Sequence, residues 1–360
     1  MKKVLFISNV LLHIESFHVP YLKWLRENGY EVHVMTNAGN KTLDCCDKLY
    51  DIDVQRTPFS FKNIPAILKS KKIIDAEKYH IIHSHTPMGG IIGRLASIAA
   101  RRKGTKVYYT AHGFHFFKGA PLLNWLIYYP IEKICSYFTD ILITINQEDY
   151  ALAKKRMKAK TIEYVPGVGV DTDKFLAVSA DRKEKRRQLG IPENAVLMLS
   201  VGELNKNKNH EIIIRAIENL DVYYVIAGKG DHDTYLQEVI DSLGLTERVK
   251  LLGYRSDVPE LCEAADIFAF PSFREGLSVS VMEAMASGLP VACSRIRGNT
   301  DLIDENGGVL FNPGSLSECK AAIETLLSSN LAEMGQYNEK KVDRFKVDKV
   351  NEQMKELYIS

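Results

Sequence analysis

Twice along this chain, short aliphatic and β-branched runs alternate with helix-patterned stretches. A Gly-, Pro- and Asp-rich segment, YVPGVGVDTDKF at residues 164–175, divides the two series. Strands alternating with helices predict parallel pairing, and a parallel sheet needs cover on both faces. In the first series VLFISNV, EVHVMTN, KYHIIHSHT, KVYYTAHG and DILITIN read as strands, and residues 16–29 and 89–103 as helices. The charged DRKEKRRQLG reads as a solvated helix. Beyond it AVLMLSVGE, VYYVIAG, RVKLLG, DIFAFPS and PVACS read as strands, with helices between them and a helical tail over about 331–360. The fold class expected is α/β, with two doubly wound units. A length of 360 residues accommodates two such domains.

Charge divides along the same line. Residues 1–165 hold 24 Lys and Arg against 14 Asp and Glu, and the remainder 23 against 31. A basic front half suits an anionic partner such as a membrane surface, although a solvated face would look the same. It lacks the aromatic-interleaved pattern or motif of a nucleic-acid binder, so no nucleic acid is expected. The six cysteines form no CxxC pair and lie mostly in apolar segments, which predicts buried thiols in a reducing compartment. The opening MKKVLFISNV reads as a strand rather than a signal peptide, because Asn9, His13 and Glu15 interrupt the apolar run and no small-x-small site follows. No run of about 18 apolar residues occurs, so no membrane-spanning helix is expected.

Ligands of doubly wound sheets bind beyond the carboxyl ends of the strands. In the second series those ends carry Gly202-Glu203, Gly228-Lys229-Gly230, Gly253-Tyr254-Arg255 and Arg274-Glu275-Gly276. Four loops of glycine plus charge describe one shared crevice. In GELNKNKNHEI, Lys206 and Lys208 lie between a strand end and a helix start, where cations and free backbone N–H groups attract phosphate. An exposed basic turn is the plain alternative. No Walker lysine motif and no GxGxxG occur, which argues against a magnesium-nucleotide site and a nicotinamide site.

The stretch FREGLSVSVMEAMASGLPV places Glu275 ahead of a helix that starts near Ser278, and Glu283 about two turns inside it. Eight helical residues would span about 12 Å, the scale of a sugar nucleotide from hexose to ribose. Carboxylates accept hydrogen bonds from paired hydroxyls and repel phosphate. The two acids are therefore expected to hold the sugar ends, while a lysine and the helix mouth take the diphosphate. A first-turn acid favoured by the helix dipole, and a surface glutamate, are the plain alternatives.

These residues, with VGEL and NKNH, PGVGVDTDKF and AHGFHFFKGAP, closely resemble family 4 glycosyltransferases, nearest to bacterial capsule and exopolysaccharide enzymes of the EpsD and CapM type. The resemblance covers essentially the whole chain. It implies the GT-B fold: two Rossmann-like domains facing a cleft, here 1–168 on the acceptor side and 169–340 on the nucleotide-sugar side, with a C-terminal helix over 341–360 returning to the first. It also implies a retaining, metal-independent transferase that takes a nucleotide-sugar donor as substrate and needs no cofactor.

By the same resemblance, His112, Lys208 and Glu275 are the catalytic set. Gly202, Asn205, Lys206, Arg255, Gly276, Leu277 and Glu283 would bind the donor, the last through its ribose hydroxyls. His13, His18, His85 and Thr86 would line the acceptor side. A satisfied strand-end histidine remains the plain reading of His112. Two features depart from the family. Glu203 stands where an arginine is usual, so part of the leaving-group charge beyond that of Lys208 is expected from elsewhere, with Lys206 and Arg255 as the candidates. The first loop, SNVLLHIESFH, lacks the common glycine pair. The histidines of HIIHSHTPMGG and AHGFHF lack an HExxH-like acid pattern, so no metal is expected.

The segment 118–138 is apolar and aromatic with lysines at both ends, which suits a membrane interface or a core helix. The expected protein is a cytoplasmic enzyme, peripheral on the inner face of the membrane. It would move a hexose from a UDP-sugar to a polyprenyl-diphosphate-linked saccharide. A UDP-sugar 2-epimerase of the same fold and a non-catalytic nucleotide-sugar-binding subunit are the rival readings.

Overall fold

The first strand, β1 (Lys2–Ile7), ends in Val4, Leu5, Phe6 and Ile7, all fully buried. Successive side chains of a strand point to opposite faces, so a strand buried throughout must be covered on both. The computed structural model shows that cover, and it describes every residue except Asn40, Arg56, Ser179, Ala180 and Ser360. The chain separates into two compact units. One holds Met1–Val168 with the C-terminal residues from Asn351; the other holds Gly169–Val350.

In the first unit, β2 (Tyr30–Thr36), β3 (Lys48–Asp51), β4 (Ile81–His85), β5 (Lys106–Ala111), β6 (Ile141–Thr144) and β7 (Thr161–Tyr164) join β1. They make one parallel sheet in the order β3-β2-β1-β4-β5-β6-β7. The chain order reverses between β1 and β4, which makes that gap the switch point. Leu5, Ile7, Ile82, Met88 and Ile92 form one apolar cluster, and Tyr109, Phe114, Phe116 and Leu142 another.

The second unit repeats the plan with β8 (Val196–Val201), β9 (Val222–Ala227), β10 (Val249–Leu251), β11 (Ile267–Phe270), β12 (Val291–Ser294) and β13 (Gly308–Phe311). Its parallel order is β10-β9-β8-β11-β12-β13, with the switch point between β8 and β11. Met198, Ile213, Tyr224, Ile226 and Phe311 anchor the core.

Several elements differ from the sequence reading. The expected helix over 16–29 is two helices, Leu11–Phe17 and Val19–Glu27, broken at His18. Pro20 lies in the first turn of the second, where its missing N–H costs nothing. Strands β3, β7 and β13 and the helices Asn63–Glu77, Gln147–Arg156 and Leu316–Leu327 add to those read from sequence. The tail is two helices, Leu331–Val342 and Val347–Ile359, joined by a 3-10 turn. The last turns of the final helix pack within the first unit, where the Tyr358 hydroxyl meets His83 Nδ1 at 2.5 Å. Five cysteines are buried and Cys46 is half-buried, and all six are free thiols. Among the described residues no helix is long and apolar enough to cross a membrane.

The helix Leu122–Ser136 exposes Leu122, Leu123, Leu126 and Ile134 and buries Glu132, Cys135 and Ser136. Its buried acid meets fully buried Arg94, from the helix Pro87–Ala96, at 2.8 Å. The Arg94 guanidinium lies 3.8 Å from the centre of the Tyr109 ring, and the Tyr109 hydroxyl donates to the same carboxylate at 3.2 Å.

Candidate active site

In the second unit, the loops after β8 and β11 flank the switch point and bring Lys208 and Glu275 together. Lys208 Nζ lies 2.8 Å from Glu275 Oε1, in an ion pair with both side chains largely shielded. The ammonium also sits 4.7 Å from the centre of the Phe270 ring, which gives the cation a second, non-charged contact. Asn205 fixes the loop from within, since its side-chain oxygen accepts from the Lys208 backbone N–H at 3.0 Å. Asn207 ties this loop to the next strand's: its side chain donates to the Arg274 carbonyl and its own carbonyl accepts from Phe273 N–H.

The glycines permit this closeness. A Cβ on Gly228 would lie 1.7 Å from the Gly202 carbonyl oxygen, and one on Gly230 would lie 2.0 Å from that of Leu204. Only glycine allows adjacent strand-end loops to approach so near.

The loop holding Glu275 is braced from the far side. Arg297, nearly buried in the turn after β12, donates from Nε to the Glu275 carbonyl at 3.0 Å. The next residue, Gly298, has φ +78°, and a Cβ there would meet the Gly276 carbonyl oxygen at 2.3 Å. Leu277 is buried, and Ser278 caps the following helix, Val279–Ala286, by accepting from Val281 N–H. Glu283 lies on that helix. Burial raises its carboxyl to about 6, a tendency that Lys174 partly opposes.

Arg255 and Lys206 stand apart from the pair. The Arg255 guanidinium donates to Asp257 from both Nε and Nη2, and these hydrogen bonds, with one from Lys185, hold that carboxyl well below the usual range. Lys206 is exposed, as is Glu203, whose carboxylate accepts from the Asn205 amide at 2.7 Å. The structure thus joins Lys208, Asn205, Gly202, Glu275 and Gly276 in adjoining loops, and leaves Glu203 tied to its own loop. Phe270, Arg297 and Gly298 belong to this site and were not read from the sequence. The only local signal for the last two was a charged, glycine-ended turn after a strand, RIRGN.

In the first unit, the switch point gathers imidazoles. His13 comes from the first helix after β1, His18 from the break, His83 and His85 from β4, and His112 from the end of β5. His13 Nε2 lies 3.2 Å from His112 Nε2, which is 3.4 Å from His85 Nδ1. The rings of His18 and His85 pack at 3.9 Å. Burial lowers His13 to about 4 and His18, His85 and His112 well below their usual value, so all are neutral at pH 7. Thr86, next to His85, is held at φ +62°, a strained value for a non-glycine residue, and its hydroxyl accepts from Asn9 N–H. A cavity of about 680 Å³ adjoins this loop, lined by Asn9, Leu12, Asn37, Lys41 and Gln55 among others.

Two parallel sheets, each with functional groups at its switch point, are the architecture of GT-B transferases. The fold is similar to that in the crystal structure of Anabaena Alr3699/HepE in complex with UDP, with a TM-score of 0.82 and 23% identity over 99% of each chain. Residues 3–146 match the glycosyl transferase 4-like family, and residues 181–342 match glycosyl transferases group 1. The putative glycosyltransferase EpsD of Bacillus subtilis is 39% identical, over 99% of this chain and 96% of its own. The UDP-Gal:alpha-D-GlcNAc-diphosphoundecaprenol alpha-1,3-galactosyltransferase of Escherichia coli is 31% identical, over 83% and 80%. The chain belongs to the group 1, 4-like glycosyltransferases.

Proposed function

We propose that this glycosyltransferase moves a hexose from a UDP-sugar to a saccharide on polyprenyl diphosphate, in the assembly of capsule or exopolysaccharide, with retention at the anomeric carbon. The observation that carries the reading is the Lys208–Glu275 pair at the second switch point, with Glu283 on the helix that follows. The ammonium stabilises charge as it develops on the departing diphosphate, and preorganised cations of this kind contribute strongly to such steps. Glu275 accepts from hydroxyls of the transferred sugar, and Glu283 from those of the ribose. Gly276 and Leu277 offer backbone N–H groups to the diphosphate. His112 is the third member of the catalytic set on this reading.

The acceptor oxygen attacks the anomeric carbon on the face that the diphosphate leaves. The carbon–oxygen bond to phosphate breaks, and the attacking hydroxyl's proton passes to the departing phosphate oxygen. No side-chain base and no metal is required for that step. Two similar proteins support the choice of substrates: HepE was crystallised in complex with UDP, and the Escherichia coli relative is named for a UDP-galactose donor and a lipid diphosphate acceptor.

His13, His18, His85 and Thr86 face the acceptor side on this reading, beside the cavity next to Asn9. The exposed Leu122, Leu123 and Leu126 and the basic charge of the first half support peripheral attachment to an anionic membrane, on the cytoplasmic side by this reading.

Purified protein incubated with UDP-hexoses and a synthetic lipid-diphosphate saccharide should yield a lengthened product only when both are present. An altered sugar nucleotide formed without acceptor would instead mark an epimerase, and an inverted product anomer would refute the displacement described.

A further inference from the structure

Neutral imidazole carries one N–H and one lone pair, and in a buried site both need partners. The histidine group at the first unit's switch point does not meet that need from within. Both ring nitrogens of His18 are buried without a partner, and so is Nε2 of His85; these rings are only 3% and 1% exposed. His112 Nε2 faces two other ring nitrogens, at 3.2 and 3.4 Å, yet a nitrogen with a single proton or a single lone pair cannot satisfy both well. By contrast, His83 is fully engaged, with Tyr358 on one nitrogen and Thr110 on the other. One ring nitrogen from each of His13, His18, His85 and His112 lies within 4.8 Å of the other three.

We propose that His13, His18, His85 and His112 form a site for one divalent transition-metal ion of the zinc class, bound through four imidazole nitrogens. A single cation takes a lone pair from each ring, which answers one orphan nitrogen of His18 and replaces the poorly shared contacts of His112 Nε2 with His13 and His85. The geometry agrees. Zinc–imidazole bonds of about 2.0–2.1 Å in a tetrahedron put ligand nitrogens about 3.3 Å apart. The contacts of His112 Nε2 with His13 and His85 already have that length. The ligand set of imidazoles without thiolate or carboxylate selects zinc, copper or nickel over magnesium and calcium.

The half-buried rings of His13 and His112 provide the way in. The outward nitrogens of His18 and His85 have no carboxylate or carbonyl to fix them, and each such missing support weakens a metal site by about 10–100-fold. The ion is therefore a reversible occupant and not a structural one. It also removes the lone pair of His112, so occupancy suppresses transfer and is not part of it.

Equilibrium dialysis of the full chain against Zn²⁺, with metal content measured after the protein is recovered, should show one ion per chain. Co²⁺ in its place should give the strong visible bands of a tetrahedral site. His18→Gln and His13→Gln should each weaken binding at least tenfold, whereas His232→Gln, in the other unit, should not. His13 is half-exposed, so its variant keeps the test valid if His18→Gln fails to fold. The same stoichiometry and affinity in His13→Gln as in the unchanged chain, or only a weak six-coordinate Co²⁺ spectrum, would overturn the site. Added Zn²⁺ should also lower turnover, and a chelator should restore it; full turnover with the site filled would overturn the blocking role. That last assay rests on the transfer reading, but dialysis needs neither donor nor acceptor, so the two failures are distinguishable.

Discussion

At the scale of single residues, the second switch point depends on a charge pair that touches nothing redundant. Lys208→Ala should lower kcat by about 10²–10³, the usual effect of losing one preorganised stabiliser of leaving-group charge. Steady-state kinetics with saturating donor would measure it. Glu283 offers a pH test. Its carboxyl is raised from 4.5 to about 6, so the folded chain binds this proton more tightly than the unfolded one. Stability from this group is complete below pH 4.5 and is lost as pH rises to about 6. Glu283→Gln removes the dependence. Relative to the unchanged protein, it should gain up to about 2 kcal/mol above pH 6, as read by urea unfolding, while losing UDP affinity. Equal stability of the two proteins at pH 5 and pH 8 would contradict the raised carboxyl. Glu275, Lys208 and Glu283 were legible because glycine-flanked charge at a strand end, and an acid on the next helix, are local patterns. Arg297 and Phe270 were not, because their roles exist only once β11 and β12 lie side by side.

At the scale of elements, the fold holds its sites by close backbone approach and by one buried ion pair. Gly298→Ala should strain a left-handed position and push the Glu275 loop away, raising the donor KM several-fold with little change in the first unit. Isothermal titration with UDP would register the loss. Glu132→Ala strands the fully buried Arg94 and should cost about 3–5 kcal/mol, whereas replacing both partners by apolar residues should recover most of it. Thermal unfolding of the single and double variants decides the matter. The sequence showed β1, β8 and β9 well, since they are largely apolar runs buried on both faces. It did not show β3, β7 or β13: four residues each, partly exposed, they lack the run that marks a central strand. The helix around His18 misled for another reason. Its apolar periodicity continues through a junction that Pro20 enforces only by geometry.

At the scale of the whole molecule, the basic and acidic halves of the sequence are the two compact units, give or take the last residues. Each unit should therefore answer to a different partner. Hydrogen exchange with UDP should slow amides in Gly202–Asn209 and Arg274–Glu283. Exchange with anionic vesicles should slow the helix Leu122–Ser136 and leave those loops unchanged. Replacing Leu122, Leu123 and Leu126 by serine should abolish vesicle binding without loss of stability, because all three are already in water. Retained binding would move the attachment elsewhere. Binding should also weaken with salt, as surface charge is screened.

The contact between Lys208 and Glu275 carries one more consequence. In the free protein each group already has its complement, so any newcomer must compete with a contact that exists. A bare anion would recruit the lysine and leave the carboxylate unanswered. A bare sugar would satisfy the carboxylate and strand the ammonium. Only a molecule that presents an anion and hydroxyls in one piece replaces both halves of the bargain at once. If the pair holds the donor as proposed, it would work as a conjunction, admitting intact donor and discounting its fragments. On the same proposal, once the sugar has gone the pair would close again behind the departing nucleotide, so the contact that screens entry would also favour release.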